Sequence, residues 1–139
     1  MDAGSIAWIG LPVVDGYLDA VSAESQPPDL PGKDALSIVY TPLNGAGLMC
    51  VKRTLTRNGF THYVVVPEQE HADGHFPTCP YPNPEIEEAL SLGLALCRKE
   101  GADLLLATDP DCDRCGIAVR HAGDYRLLTG NEVGVMLFD

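Results

Sequence analysis

Basic residues are scarce in this sequence. Its 139 residues include 9 lysines and arginines against 20 aspartates and glutamates, which gives a formal net charge of −11. Nucleic acids and anionic membrane surfaces bind proteins through basic patches, so this balance argues against both as partners. Long apolar runs are also missing, since no stretch approaches the roughly 20 residues that cross a bilayer. The sequence does not open with a basic segment followed by an apolar stretch, so we expect no signal peptide and a cytoplasmic location.

The composition fits neither a disulfide framework nor a disordered chain. The cysteine count is five, an odd number, and several of these residues lie in or beside predicted regular elements. Reduced thiols in a cytosolic protein are the simplest interpretation. Apolar residues make up 45% of the chain, which is typical of a globular protein. The length fits one domain with a moderate core.

Periodicity and breaker residues divide the chain into alternating helices and strands. The apolar stretch 62–66 is typical of a strand in a sheet that is covered on both faces. Asn83 suits a helix cap and Pro84 a first helical turn, and Thr129 with Glu132 forms a capping-box pattern. In chain order the predicted elements are a helix over 12–23, a linker over 25–32, a strand over 36–40, a helix ending near 58, a strand over 62–66, a helix from 83 to about 100, a strand over 103–107, a hairpin of 116–120 with 125–128, and a last helix from 129.

This order predicts an α/β fold, a three-layer α/β/α sandwich around a mixed, mostly parallel sheet of about four strands. The first three strands are expected to run parallel. The loops 41–47, 67–82 and 108–115 would then leave the carboxyl ends of strands, the edge at which open α/β sheets bind ligands. We expect a single domain over 1–139, in which 1–33 form a leading helix and linker. Because the last helix stops while it is still apolar, we expect this domain to be excised from a longer multidomain chain.

Three carboxylates alternate along a short segment that follows the apolar residues 104–106. They are Asp109, Asp111 and Asp113, and Arg114 comes directly after them. Alternation brings three oxygen ligands within reach of one centre, and Mg²⁺ prefers such ligands, with water or a phosphate completing its octahedron. The planar fork of Arg114 suits phosphate oxygens. The segment, hereafter the metal loop (residues 108–115), therefore predicts a divalent-cation site for phosphoryl transfer.

Other interpretations of the metal loop stay open at this point. Aspartate is common in turns, so the loop is alternatively a solvated turn of a non-catalytic interaction domain. Asp109 and Asp111 also match the nucleophile and the acid/base residue of a phosphatase that forms an aspartyl phosphate, although Asp113 and Arg114 fit that mechanism poorly. An EF-hand is excluded, because its sixth position would be Arg114 instead of glycine and its twelfth Arg120 instead of glutamate.

Three further motifs have structural interpretations beside functional ones. Cys112 and Cys115 have CxxC spacing, but no second pair and no thioredoxin-like helix start accompany them, so we interpret them as packing neighbours of the loop. The glycines within 41–47 either cradle an anion at a helix N-terminus or form a plain strand-to-helix turn. His71 and His75 lie in a polar loop and are expected to be solvated instead of metal-bound.

Several ordered segments carry a resemblance to a known family. Asn44 stands where that family commonly has histidine, and Cys112 and Cys115 replace an alanine and an apolar residue without removing a ligand. The matching segments are Thr41-Pro42-Leu43-Asn44-Gly45-Ala46-Gly47, Asp109-Pro110-Asp111-Cys112-Asp113-Arg114, 66–69, 76–78, 81–85 and 129–134. Over residues 13–139 the chain resembles the second domain of the α-D-phosphohexomutase (phosphoglucomutase/phosphomannomutase) family. It is most similar to the longer phosphoglucomutase/phosphopentomutase-like branch.

The resemblance implies a role for each part of the metal loop. Asp109, Asp111 and Asp113 would hold Mg²⁺ against the phosphoserine of the complete enzyme, and Arg114 would contact the phosphoryl group. That enzyme moves phosphate from the phosphoserine to a hexose or pentose phosphate through a bisphosphate that reorients. The family's serine, sugar and C-terminal phosphate loops belong to other domains and have no counterpart in these 139 residues. The resemblance thus implies a fragment that is inactive alone, with other domains of the same chain as its partners.

Overall fold

The computed structural model describes residues 4, 7–24 and 30–138 of the chain. Residues 25–29 of the predicted linker lie outside the described residues. The regular elements are α1 (Leu11–Ala23), β1 (Ile38–Thr41), α2 (Leu48–Arg57), β2 (Tyr63–Val65), a 3₁₀ turn (Pro67–Gln69), a second 3₁₀ turn (Glu87–Leu90), α3 (Ser91–Glu100), β3 (Leu104–Thr108), β4 (Cys115–His121), β5 (Asp124–Leu128) and α4 (Gly130–Phe138).

The strands form one sheet in the order β2-β1-β3-β4-β5. β1 pairs in parallel with β2 and β3, as predicted, whereas β4 is antiparallel to both β3 and β5. The predicted α/β/α sandwich is confirmed. The sheet has five strands instead of about four, because both arms of the 115–128 hairpin continue the ladder. β1 and β3 lie in the interior of the sheet, so the loops that follow them leave its middle.

Both faces of the sheet are covered around β1, all four of whose residues are buried. Val39 points to the face that packs against α3, and Tyr40 points to the opposite face because side chains alternate along a strand. On the α3 face, a Cβ added to Gly93 would lie 2.7 Å from a methyl of Leu105, so helix and strand approach closely. The core cluster on this face consists of Val39, Val66, Leu90, Leu94, Cys97, Ala102, Leu105, Ala107 and Ala118.

The helix predicted to begin at Asn83 begins later, at Ser91. The Asn83 side chain accepts a hydrogen bond from the backbone N–H of Glu85 (3.0 Å), which closes a local turn and does not start a helix. Pro84 is buried against β4, where a Cβ on Gly116 would lie 2.1 Å from the Pro84 carbonyl oxygen. Contact between Pro84 and β4 therefore holds residues 83–86 in a turn, which local sequence preference did not indicate.

The first and last helices lie where the sequence predicted them. Leu18 of α1 is fully buried, and Arg57 of α2 forms an ion pair with Asp15 of α1 (2.8 Å). Before α4, the backbone N–H of Thr129 donates to Glu132 (2.8 Å), and the backbone N–H of Glu132 donates to the Thr129 hydroxyl (3.2 Å). The predicted capping box is thus confirmed. No helix within the described part of the chain has the length and apolar character needed to cross a membrane.

Candidate metal centre

The metal loop begins at the carboxyl end of β3, in the middle of the sheet. Asp109 follows the last strand residue and is only 1% exposed, whereas Asp111 and Asp113 are exposed. One carboxylate oxygen from each of the three lies within 4.8 Å of those of the other two. Within the described ranges, no other set of three histidine, cysteine, aspartate or glutamate side chains converges in this way. The structure therefore brings together the three residues that the alternating pattern singled out.

The loop is wound around the Asp109 carboxylate. One oxygen of this carboxylate accepts hydrogen bonds from the backbone N–H groups of Asp113 (3.1 Å) and Arg114 (3.0 Å). The other oxygen accepts one from Nε of Arg114 (2.8 Å). The backbone N–H of Cys112 also donates to the Asp109 carbonyl (3.0 Å). Asp109 is thus a fixed ligand candidate, while Asp111 and Asp113 sit on the solvent side of the same turn.

The three carboxylates differ in their electrostatic environment. Burial opposes ionisation of Asp109, but the hydrogen bonds and positive charge of Arg114 outweigh it and lower the pKa of this carboxyl. The negative charges of Asp111 and Asp109 raise the pKa of Asp113 above its ordinary value. The hydrogen bond to Asp109 raises the pKa of Arg114, which stays charged. A divalent cation would relieve the repulsion among the carboxylates.

Residues 41–47, at the end of β1, contact the metal loop through backbone atoms. A Cβ on Gly45 would lie 2.4 Å from the Cα of Pro110, so only glycine fits there. The backbone N–H of Ala46 donates to the Pro110 carbonyl (2.8 Å), and that of Gly45 donates to the Pro42 carbonyl (2.8 Å). Because these donors are already engaged, the structure assigns Gly45 to packing and does not support an anion cradle at this position.

Gly47 makes the next contact between the two segments. A Cβ at Gly47 would lie 2.8 Å from each of three atoms, namely Sγ of Cys112, Oγ1 of Thr108 and the hydroxyl of Tyr40. The Tyr40 and Thr108 hydroxyls are hydrogen-bonded to each other (2.9 Å). Burial is the main reason that the pKa of Tyr40 rises to about 12. Cys112 is thus a packing neighbour of the loop, as expected from the sequence.

A hydrogen-bond network that sequence reasoning missed ties residues 41–47 to the segment 69–78. Gln69 accepts a hydrogen bond from the Thr41 hydroxyl (2.7 Å) and donates one to the Thr78 hydroxyl (3.2 Å). Asn44 accepts from Thr78 (3.2 Å) and donates to the His71 carbonyl (2.9 Å). Asn44 has φ +57°, a left-handed conformation that asparagine tolerates better than most residues. That tolerance is a local signal that could have singled out Asn44.

Of the remaining sequence candidates, only Arg114 contacts the group of three carboxylates in the described residues. His71 and His75 are both exposed and belong to no metal-binding group of the described residues. Cys115 is exposed at the start of β4. The predicted phosphate contact, Arg114, lies beside the carboxylates, with half of its side chain exposed (51%). Carboxylates and Arg114 therefore make up the candidate site.

The chain is similar to proteins of one family. Residues 15–123 match the family model described as phosphoglucomutase/phosphomannomutase, alpha/beta/alpha domain II. The chain is 43% identical over 129 residues to a phosphoribomutase of Saccharomyces cerevisiae, covering 86% of this chain and 21% of that protein. It is 36% identical over 138 residues to a phosphoglucomutase of Staphylococcus saprophyticus, covering 99% of this chain and 24% of that protein. The chain thus spans about a quarter or less of the length of these curated relatives.

Solved structures show the same fold. A phosphoglucomutase/phosphomannomutase family protein from Burkholderia thailandensis superposes with a TM-score of 0.65 at 23% identity, over 83% of this chain and 22% of that one. A putative phosphomannomutase from Thermus thermophilus superposes with a TM-score of 0.61 at 24% identity, over 81% of this chain and 25% of that one. By the match of more than half of its residues to the family model, the chain belongs to the phosphoglucomutase/phosphomannomutase family through its α/β/α domain II.

Proposed function

We propose that this chain is the metal-binding domain of a phosphosugar mutase, with Asp109, Asp111 and Asp113 as ligands of Mg²⁺. The convergence of their oxygens within 4.8 Å is the observation that carries the proposal. Two oxygens on one Mg²⁺ lie at most about 4 Å apart, given Mg–O distances of about 2.1 Å. A small inward movement of the two exposed carboxylates would therefore complete the set. The donor chemistry also fits, since Mg²⁺ takes hard oxygen ligands.

Asp109 and Arg114 would have different roles in the proposed site. Asp109 is held in place by its hydrogen bonds: Oδ1 accepts two and Oδ2 accepts one, so Oδ2 keeps a lone pair for a cation. Arg114 uses Nε to hold Asp109, and its terminal nitrogens donate no hydrogen bond within the described residues. Those nitrogens form the fork that would contact a phosphoryl group. When bound, Mg²⁺ would neutralise charge on the transferring phosphoryl group.

The proposed reaction moves phosphate between hydroxyls of a hexose or pentose phosphate. The names of the relatives support this substrate class, since they include a phosphoribomutase, a phosphoglucomutase and a mouse glucose 1,6-bisphosphate synthase. The family resemblance adds a phosphoserine as the phosphate donor and a sugar bisphosphate as the intermediate. The phosphoserine would belong to a segment outside these 139 residues. We therefore propose that the isolated chain is inactive, that other domains are its partners, and that the complete protein acts in the cytoplasm.

An aspartyl-phosphate phosphatase is supported less well. Its nucleophile would be Asp109, which is 1% exposed and has both carboxylate oxygens engaged in hydrogen bonds. In-line attack on a phosphate needs a carboxylate oxygen that can leave its hydrogen bonds, whereas the same bonds orient a metal ligand. A non-catalytic interaction domain, in which the loop is only a solvated turn, predicts no specific metal binding.

Metal titration separates these functions. We expect millimolar Mg²⁺ to shift the backbone amide resonances of residues 108–115, and Mn²⁺ to broaden the same set. Asp111→Asn and Asp113→Asn should each weaken binding by about tenfold or more, because each removes a charged ligand. Asp34→Asn is the matched control, since Asp34 is an exposed carboxylate outside the loop. Absence of any shift at millimolar metal would contradict the proposal and favour the solvated turn.

A further inference from the structure

Three of the five cysteines lie in the metal loop or in the first turn of the helix beside it. Cys79 and Cys97 are buried elsewhere; the Cys79 thiol donates to the Tyr81 carbonyl (3.2 Å), and burial raises the pKa of the Cys97 thiol to about 11. Both thiols are therefore shielded from oxidants in solvent. The other three are Cys50 on α2, Cys112 between two ligand candidates, and Cys115 at the start of β4.

The Cys112 side chain lies against the start of α2. Its Sγ lies 2.8 Å from the position that a Cβ on Gly47 would occupy, and Gly47 caps the N-terminus of α2. The backbone of Cys112 has φ +63° and is held by its hydrogen bond to the Asp109 carbonyl. The loop geometry therefore fixes the direction of this thiol.

Cys50 lies three residues beyond Gly47, one helical turn on, so the two residues share a face of α2. Burial is the main reason that the pKa of the Cys112 thiol lies above its ordinary value. The Cys112 thiol therefore packs at the first turn of α2, the turn that carries Cys50. Cys50 is half-buried and Cys112 is exposed, so a small oxidant reaches Cys112 from solvent.

Cys115 is a weaker partner for Cys112. It pairs with Thr108 across the β3–β4 ladder, and directly opposed residues project to the same face of a sheet. It therefore projects to the same face of the sheet as Thr108, but from β4, one strand further from β1, and it is exposed. This arrangement makes Cys115 a built-in control.

We propose that Cys50 and Cys112 are a redox-modification site that forms a reversible disulfide on exposure to peroxide. The Cys112 thiolate attacks one oxygen of hydrogen peroxide, giving a sulfenic acid and hydroxide. The Cys50 thiolate then attacks that sulfur, forms the S–S bond and expels a second hydroxide. In sum, two thiols lose two electrons and two protons while one peroxide becomes two waters. A dithiol reductant reverses the reaction by exchange.

The disulfide would act on the metal loop, a consequence that rests on the proposed function. An S–S bond is about 2.05 Å long, so closing it draws Cys112 toward α2. Asp111 and Asp113 flank Cys112 in the chain, and they would move away from the fixed Asp109. We expect the affinity for Mn²⁺ to fall by about tenfold or more.

Tryptic mapping tests the disulfide independently of metal. Cleavage after Lys33, Lys52, Lys99, Arg114 and Arg120 places the three thiols in the separate peptides 34–52, 100–114 and 115–120. After peroxide treatment at pH 8 and alkylation, we expect 34–52 linked to 100–114, with the link absent in Cys50→Ser and Cys112→Ser, retained in Cys115→Ser, and removed by dithiothreitol. A link between 100–114 and 115–120, or complete alkylation of all three thiols, would overturn the proposal.

Metal affinity tests the consequence. Mn²⁺ binding is compared in reduced and oxidised Cys115→Ser, with circular dichroism to confirm that both forms are folded. A verified disulfide with unchanged Mn²⁺ affinity would overturn the effect on the loop. Failure of the reduced form to bind Mn²⁺ would instead contradict the proposed function, and with it the effect on the loop, while the peptide map still decides whether the disulfide forms.

Discussion

Gly45 and Pro110 touch through their backbones. A Cβ on Gly45 would lie 2.4 Å from the Cα of Pro110 and 2.6 Å from its carbonyl oxygen, and the next residue, Ala46, donates its N–H to that oxygen (2.8 Å). The two residues come from loops that follow β1 and β3, which are neighbours in the sheet. The candidate metal loop is therefore braced by a segment more than 60 residues away in the chain.

Replacing Gly45 by alanine should disturb this brace. The new Cβ meets backbone atoms that cannot move aside separately, so we expect a loss of about 1–3 kcal/mol in the free energy of unfolding, together with weaker Mn²⁺ binding. Urea unfolding and Mn²⁺ titration measure the two effects. Gly74→Ala is the matched control, because a Cβ there meets nothing within 4 Å. Equal stabilities of the two variants would contradict the prediction.

Asp109 should make stability depend on pH in the acid range. Its folded-state pKa is lowered, so it stabilises the fold above its unfolded pKa of about 3.9, and this contribution is lost as pH falls through the folded value. Asp109→Asn lacks it and should be less stable than wild type by about 1–3 kcal/mol at pH 7. This difference in the free energy of unfolding should narrow below about pH 4. Urea unfolding of both proteins in EDTA checks this, and a gap independent of pH would count against it.

Metal binding should raise thermal stability by mass action. At a free Mg²⁺ concentration several times the dissociation constant, the folded state gains about 1 kcal/mol, which raises Tm by about 3 °C in a chain of this size. Asp113→Asn should lose the increase, and Asp34→Asn should keep it. The comparison uses KCl at matched ionic strength, because screening alone also relieves carboxylate repulsion. An equal increase in KCl would refute specific binding.

The contact between Gly93 and Leu105 should show strong coupling. A Cβ on Gly93 would lie 2.7 Å from one Leu105 methyl and 3.1 Å from the other, so Gly93→Ala overpacks the interface of α3 with β3 and should cost about 1–3 kcal/mol. Leu105→Val shortens the side chain, so its methyl groups lie further from the position of the new Cβ. The double variant should therefore be more stable than the sum of the single effects, by about 0.5–3 kcal/mol. Additive free energies of unfolding would show that the two side chains do not compete for space.

The isolated 139-residue chain should not interconvert sugar phosphates. It contains the candidate cation and phosphate contacts, but the family's phosphoserine segment has no counterpart in its sequence. A coupled mutase assay with hexose and pentose phosphates should show no turnover above buffer, and a full-length family mutase in the same assay provides the positive control. Clear turnover that disappears in Asp109→Asn would contradict this prediction.

The sequence by itself determined the elements and the chemistry of the candidate site. Apolar periodicity and end signals are local, so they located the parallel strands, the hairpin and the Thr129–Glu132 capping box. The alternation of Asp109, Asp111 and Asp113 identified carboxylates that the structure brings together, while ion binding itself stays a prediction. Sequence patterns succeed in these cases because the residues involved are close neighbours in the chain.

Tertiary structure alone decided features that depend on contacts between distant segments. The turn at 83–86 replaces a predicted helix start because Pro84 packs against Gly116. The glycines of 41–47 pack against the metal loop, and Asn44 accepts a hydrogen bond from Thr78. The side chain of Cys112 packs at the start of α2. No local preference encodes these outcomes, because each is set by which surfaces meet when the sheet assembles and by the cost of leaving buried polar groups unpaired.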